Sequence, residues 1–323
     1  MSGAPGGGSP PDHPPSAASD AESQEAARAA GNLRGAFWMI LSAILFVTMM
    51  SLIKHLGTDF HSIQIVLFRA MVGTAILVPL LLRQGGRPFR TPRWRLHLLR
   101  AVMAAGAIHM GFYALTHIPL ADATAISFTR GLFMTPLAIL FLGEKVGPHR
   151  WIALVVGLGG ALLILRPGAH GAEGVHPAAL AALAGAVLVA CLSITVRKLK
   201  TTESNASIMV WPMLMVLVVT IIPAAGLWVS PTPAQWFLLI LSGVVGTMAQ
   251  WCIVQAFRHG EASALAPVDY VRLLLATAVG AFIFGEFPDG VTIVGGLIIV
   301  GSTFYTLRRE IGKRRPVPVD TAP

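Results

Sequence analysis

The chain has 323 residues, 54% of them hydrophobic and only 12% charged, with a mean hydropathy of +0.70. Soluble domains carry about 25% charge, so this composition argues against a soluble enzyme or binding domain and implies an all-α integral membrane protein. The net charge of +9 does not imply a nucleic-acid partner, because polytopic chains concentrate Lys and Arg in cytoplasmic loops and no arginine-aromatic binding motif accompanies them.

Residues 1–33 are rich in Gly, Pro, Ser and Ala and lack an apolar stretch. They are expected to be a disordered cytoplasmic tail, neither signal peptide nor anchor. A crossing needs about 20 apolar residues. Such stretches predict ten spans, at 35–56, 62–82, 95–115, 119–142, 149–165, 177–196, 206–229, 234–257, 262–285 and 290–307. Short connections with turn chemistry join them, such as Arg87-Pro88, Arg166-Pro167-Gly168 and Pro231-Thr232-Pro233. Residues 310–323 form a basic cytoplasmic tail. Cys191 and Cys252 fall inside spans with no C-x-x-C or Cys/His cluster. They read as small buried hydrophobes, and neither a metal nor a cofactor is expected.

With the N-terminus inside, 18 of the 24 Lys and Arg residues lie on the cytoplasmic side and two, Lys54 and Arg166, outside. This asymmetry places both termini in the cytoplasm. Arg69, Arg100, Arg130 and Arg272 lie within spans; Lys54 and Arg100 are near enough to helix ends to snorkel.

Setting residue n against n+142 lays "ISFTRGLFMTPLAILFLGE" over "VDYVRLLLATAVGAFIFGE" without a gap. Arg130 then meets Arg272, Gly143 meets Gly285, Glu144 meets Glu286, His117 meets His259, Thr135 meets Thr277, Gly159 meets Gly301 and Arg166 meets Arg308. The period is five spans, and an odd number of crossings brings the second copy in from the opposite side. The expected architecture is therefore two inverted five-helix repeats, 34–166 and 177–309, with a site near the midplane.

An apolar helix ending "FLGEKVGPHRW", a glycine-rich helix closing "LLILRPG", and their counterparts "FGEFPDG" and "YTLRRE" resemble the EamA-type members of the drug/metabolite transporter superfamily. The resemblance covers roughly residues 35–309. It implies ten helices in two inverted repeats, a central cavity lined mainly by the first four helices of each, and movement of small metabolites across a bacterial inner membrane. Pro136 and Pro267 resemble prolines that members place in the fourth and ninth helices.

A charged side chain at the bilayer centre is costly and faces a cavity or a partner. Arg130 has Ser127 one turn before it and no acid nearer in its helix than Asp122. Its guanidinium either pairs with an acid from another helix, such as Asp269, or meets a substrate's anionic group, which its planar fork suits; the second reading is preferred here. Asp269 precedes Arg272 by three residues, a spacing that joins side chains on one helix face. That pair reads either as an internal salt bridge or as a substrate or proton-coupling element. Arg69 is a weaker candidate, since its repeat partner is Trp211. Tyr113, Trp251 and Tyr270 are taken as aromatic wall residues, although aromatic stripes are more often packing. The candidate substrate-binding set is thus Arg130, Asp269, Arg272, Tyr270, Tyr113, Trp251 and Arg69. His109, the repeat mate of Trp251, reads as a packing histidine. Glu144 and Glu286 read as hinges or caps, able to reach the next helix's N-terminus. Ala178, Ala182, Ala186 and Ala190, like Ala153, Gly157 and Ala161, form small-residue packing faces.

The function expected is secondary transport of a small polar, anionic or zwitterionic metabolite by alternating access. The bilayer is its medium, and a coupling proton or ion and a homodimer are compatible with it. The alternatives are a channel or a translocator of lipid-linked substrates. A membrane enzyme is remote, because no G-x-S-x-G, H-E-x-x-H, P-loop or dinucleotide motif occurs. Single cysteines introduced at Gly86 and Gly312 should react with an impermeant maleimide only from the cytoplasm, and those at Thr58 and Gly171 only from outside. Labelling of Gly171 and Gly312 from one side would rule out this topology.

Overall fold

The computed structural model describes residues 17–82, 94–143, 148–165, 176–199, 205–260, 265 and 268–312. The described helices are α1 (Ala17–Leu56), α2 (Ser62–Leu82), α3 (Trp94–His117), α4 (Leu120–Ser127), α5 (Arg130–Leu142), α6 (Pro148–Leu165), α7 (Pro177–Leu199), α8 (Asn205–Gly226), α9 (Pro233–His259), α10 (Val271–Phe284) and α11 (Gly290–Gly312). No strand occurs among the described residues. Five helical stretches are long and apolar enough to cross a membrane: Ala29–Leu56, Trp94–His117, Leu120–Phe141, Pro177–Thr195 and Pro233–His259. Shorter apolar helices, Ser62–Ile76, Trp151–Leu165, Leu214–Gly226, Val271–Phe284 and Gly290–Thr306, stand where the other spans were expected.

Two expectations are corrected. The amino-terminal tail is not wholly without structure, since α1 begins at Ala17; residues 1–16 and 313–323, Glu144, Pro267 and the turns at Arg87-Pro88 and Arg166–Gly168 lie outside the described residues. The stretch 119–142 is not one regular helix, because the α pattern breaks at Phe128 and Thr129. There the N–H groups of Gly131 and Leu132 donate three residues back, to Phe128 O at 3.2 Å and Thr129 O at 2.9 Å. The hydroxyls of Thr124, Ser127 and Thr129 bond to Leu120 O, Thr124 O and Ile126 O, and such back-bonding competes with the helical ladder. The second half repeats the break at Tyr270, where Leu273 N–H donates to Tyr270 O at 2.9 Å. Phe128 (φ −70°, ψ −18°) and Tyr270 (φ −69°, ψ −16°), repeat mates, have nearly the same backbone, close to 3₁₀ values. The helices that follow, α5 and α10, both end on a glycine in the left-handed region, Gly143 at φ 65° and Gly285 at φ 69°, a conformation that costs other residues about 1–2 kcal/mol.

Helices from the two halves interleave. α1 packs along α9 as α3 packs along α7, α2 on α9 as α8 on α3, and α1 on α10 as α7 on α5. The 142-residue offset exchanges the members of each pair. Two further contacts, α2 with α8 and α6 with α11, join equivalent helices. Small residues allow the closest approaches: Gly31 and Gly35 of α1 lie against the backbone of Ala256, His259 and Gly260, where α9 ends. Ser42 Oγ donates to Ala249 O at 2.9 Å across the same seam, a bond worth about 0.6–2 kcal/mol in a bilayer.

At the α6–α11 crossing, a Cβ on Gly160 would stand 2.8 Å from Gly295 O, and one on Gly295 would stand 2.7 Å from Gly160 O. Their neighbours Gly159 and Gly301 have nothing within 4 Å of that position. Gly160→Ala or Gly295→Ala should therefore each destabilise the purified protein by about 1–3 kcal/mol, read as a lower melting midpoint. Gly159→Ala and Gly301→Ala should be neutral or slightly stabilising, and equal midpoints for all four variants would reject the close approach.

Candidate functional site

Each broken helix places an arginine within the first two residues after its break. Arg130 opens α5 and Arg272 is the second residue of α10. Asp269, in the helical turn just before Tyr270, lies between them. Its Oδ2 accepts from Arg130 Nη2 at 3.3 Å and stands 3.7 Å from Arg272 Nη2. Arg130, which has no acid close by in its own span, is thus partnered from the other half of the chain. The i,i+3 pair of Asp269 and Arg272 is present as well.

Aromatic faces complete the surroundings. The Arg272 guanidinium lies 4.8 Å over the Phe128 ring and 5.5 Å over Phe46, and Arg130 lies 5.8 Å over Phe128. Such contacts each contribute about 0.5–2 kcal/mol. Phe128 and Tyr270 meet with ring centroids 5.0 Å apart, so the two breaks face each other directly. Arg272 is only 6% exposed, and its Nε has no hydrogen-bond partner.

A cavity of about 180 Å³ opens beside this cluster. Its polar groups come from Arg69 on α2, Ser127, Arg130 and Arg272. The rest of its wall is apolar, with Phe46, Met49 and Met50 of α1 facing Ala182 and Ala186 of α7. Two residues of the alanine stripe on α7 therefore both pack and line. Arg69 sits over the face of Phe112, 5.7 Å from its centroid. Tyr270 is half-buried behind Phe128 rather than on the wall. Tyr113 and Trp251 do not line the cavity: Tyr113 rests on His117 at 4.2 Å, and Trp251, half exposed, meets Trp38 edge-on at 5.2 Å.

A second ionic cluster lies where α1 finishes. Lys54 was read as snorkelling to water, but its ammonium pairs with Glu286 and donates to Ile118 O at 2.8 Å. The other Glu286 oxygen accepts from Leu120 N at 3.0 Å, so this carboxylate caps the first turn of α4 from the opposite half, as a carboxylate after the Gly-Glu helix end can. The Arg130–Asp269 pair is the alternative weighed from the sequence, whereas spacing gave no sign of Lys54 with Glu286. Phe46 also carried no advance signal, whereas Phe128 could have been found as the repeat mate of Tyr270.

Comparison with known proteins agrees with this construction. The EamA-like transporter family matches residues 33–166 and again 176–308. The S-adenosylmethionine uptake transporter of Rickettsia bellii is 32% identical, aligned over 85% of this chain and 94% of its own. The riboflavin transporter of Vibrio cholerae is 31% identical over 88% and 96%, and the pseudopaline exporter of Pseudomonas aeruginosa 32% identical over 86% and 97%. A solved crystal structure superposes with a TM-score of 0.57 over 89% of this chain and all of that one, at 20% identity, which shows a shared fold. A helical membrane chain whose two halves are each matched by one family model belongs to the EamA-like transporter family of the drug/metabolite transporter superfamily.

Proposed function

We propose that this protein carries a small anionic or zwitterionic metabolite across a bacterial inner membrane by alternating access. Its spans number ten, its two five-helix units are inverted relative to one another, and both termini are cytoplasmic. The charge cluster on the two facing breaks carries this reading. In this structure Asp269 serves as the anion for Arg130 and Arg272. A substrate carboxylate entering the cavity takes over Arg130, and the fork that held Asp269 holds the substrate instead. Neither state leaves Arg130 unpaired in low dielectric, so the exchange costs little while it loosens one tie between the halves.

Other contacts support the orientation. Lys54 with Glu286, Gln64 with Val229, and Asp59 with Gln235 each join residues at ends expected outside. Gly31 and Gly35 meet His259 and Gly260 at the end expected inside. The relatives named for S-adenosylmethionine, riboflavin and pseudopaline support a small organic cargo, and uptake and export both occur among them.

A thermal-shift screen of the purified protein against a metabolite panel, followed by flux in vesicles, tests the reading. Arg130→Leu should insert and fold yet abolish saturable transport. Arg130→Lys, which keeps charge but loses the fork, should transport with weakened apparent affinity. Normal saturable flux through well-folded Arg130→Leu would end the proposal. The shared carboxylate generates a further expectation. Asp269→Asn removes the anion from two guanidiniums and should destabilise by about 3 kcal/mol, whereas Arg272→Gln leaves the Arg130–Asp269 pair and should cost less. Equal melting midpoints for these two variants would show that Asp269 is not shared.

A further inference from the structure

The cavity's charges do not balance. Arg69, Arg130 and Arg272 all line it. Among the described residues Asp269 is the one carboxylate within 4 Å of any of the three. One anion therefore serves two guanidiniums, and a third has none. Arg272, although more than nine-tenths buried, leaves Nε without a hydrogen-bond partner and holds Asp269 only at 3.7 Å.

Arg69 lies on a different helix and a different ring from the other two. Its guanidinium faces the Phe112 ring of α3, whereas Arg130 and Arg272 share the Phe128 ring. On the α9 side it passes Gly246, where an added Cβ would stand 3.3 Å from Nε and 2.6 Å from Met49 Sδ. Its immediate surroundings are thus an aromatic ring, a thioether and a bare backbone. A guanidinium in such a setting is expensive unless an anion arrives. The cavity as a whole carries two positive charges in excess. A monoanion would neutralise one of them, and a zwitterion would change the sum by nothing.

We propose that the cargo carries two separated carboxylates, one held by Arg69 at the Phe112 end and the other by Arg130 and Arg272 at the Phe128 end. The proposal rests on the reading of this cavity as the substrate site. Two groups are favoured over one doubly charged phosphate because the cations stand on different rings and different helices. A phosphomonoester would bring both charges to one end and leave the other unmatched. The apolar wall of Met49, Met50 and Ala182 suits an aliphatic spacer between the two acids.

The full-length protein, purified in detergent, is titrated with malonate, succinate, glutarate and adipate. Monocarboxylates of matching length, 4-aminobutyrate as a zwitterion and glycerol phosphate as a phosphomonoester are compared by thermal shift and by mutual displacement. At least one dicarboxylate should bind about tenfold more tightly than its monocarboxylate and than 4-aminobutyrate, the gain of one charge-assisted contact. Arg69→Gln should erase that advantage while leaving monocarboxylate binding within about twofold, and Arg130→Gln should weaken both classes. Should Arg69→Gln fail to fold, Arg69→Lys should lose affinity for dicarboxylates alone, and the wild-type comparison decides without either. No preference for any dicarboxylate, including no binding at all, overturns the proposal, as does tighter binding of glycerol phosphate. Monocarboxylate or zwitterion binding that depends on Arg130 but not on Arg69 overturns the two-acid inference while leaving the anionic or zwitterionic reading in place.

Discussion

A guanidinium withdrawn from water must meet an anion, an aromatic face or a cavity, and in this protein Arg272 meets all three. The desolvation cost of such a group amounts to several kcal/mol. That cost explains why the surrounding contacts come from so many elements. Phe46 arrives from α1, Phe128 from the break before α5, and Asp269 from the break before α10. A structure that places these groups together has thereby positioned both halves of the chain against each other. The interleaved packing of α1 on α9 and α3 on α7 supplies the rigid frame on which that placement depends.

The helix breaks are what allow two cations to share one region. Had the spans run as regular helices, side chains at 130 and 272 would have been set by the 100° helical step alone. A local tightening toward 3₁₀ geometry at Phe128 and Tyr270 changes that step and brings the two rings into tilted contact, centroids 5.0 Å apart. Regularity is given up where function is concentrated and restored on either side of it. The glycine caps at Gly143 and Gly285 then stop both helices after comparable lengths, so the same short helical piece is built twice.

Much of this was legible in the chain. Hydropathy located the helical stretches, and the 142-residue match paired Arg130 with Arg272 and Gly143 with Gly285 before any coordinates. Periodicity could not reveal the breaks, because Ser127 and Thr129 bend a helix through bonds to their own backbone that leave the apolar pattern intact. Asp269 was named as a possible partner of Arg130, but nothing in a separation of 139 residues could decide between that pair and a substrate anion. Lys54 misled in the opposite sense: a lysine near a helix end normally reaches for water, and only the fold shows Glu286 and Ile118 O taking its protons' bonds instead. Trp251 was chosen as an aromatic wall residue, but residue type does not fix where a side chain turns, and its indole meets Trp38. The amino-terminal turns of α1 are polar and alanine-rich, so composition alone gave no boundary between tail and helix.

Ser127 is the repeat mate of Asp269, and it lines the cavity in the position where a second carboxylate would stand. The scaffold is therefore close to symmetric while the chemistry at its centre is not. The two arginines occupy equivalent repeat positions, yet only one of them has an acid a single turn before it. The repeat alone would make the two surroundings alike; a hydroxyl at 127 and a carboxylate at 269 make them different. The two halves therefore differ chemically at Ser127 and Asp269, as they do at Arg69 and Trp211, where the repeat sets an arginine against an indole.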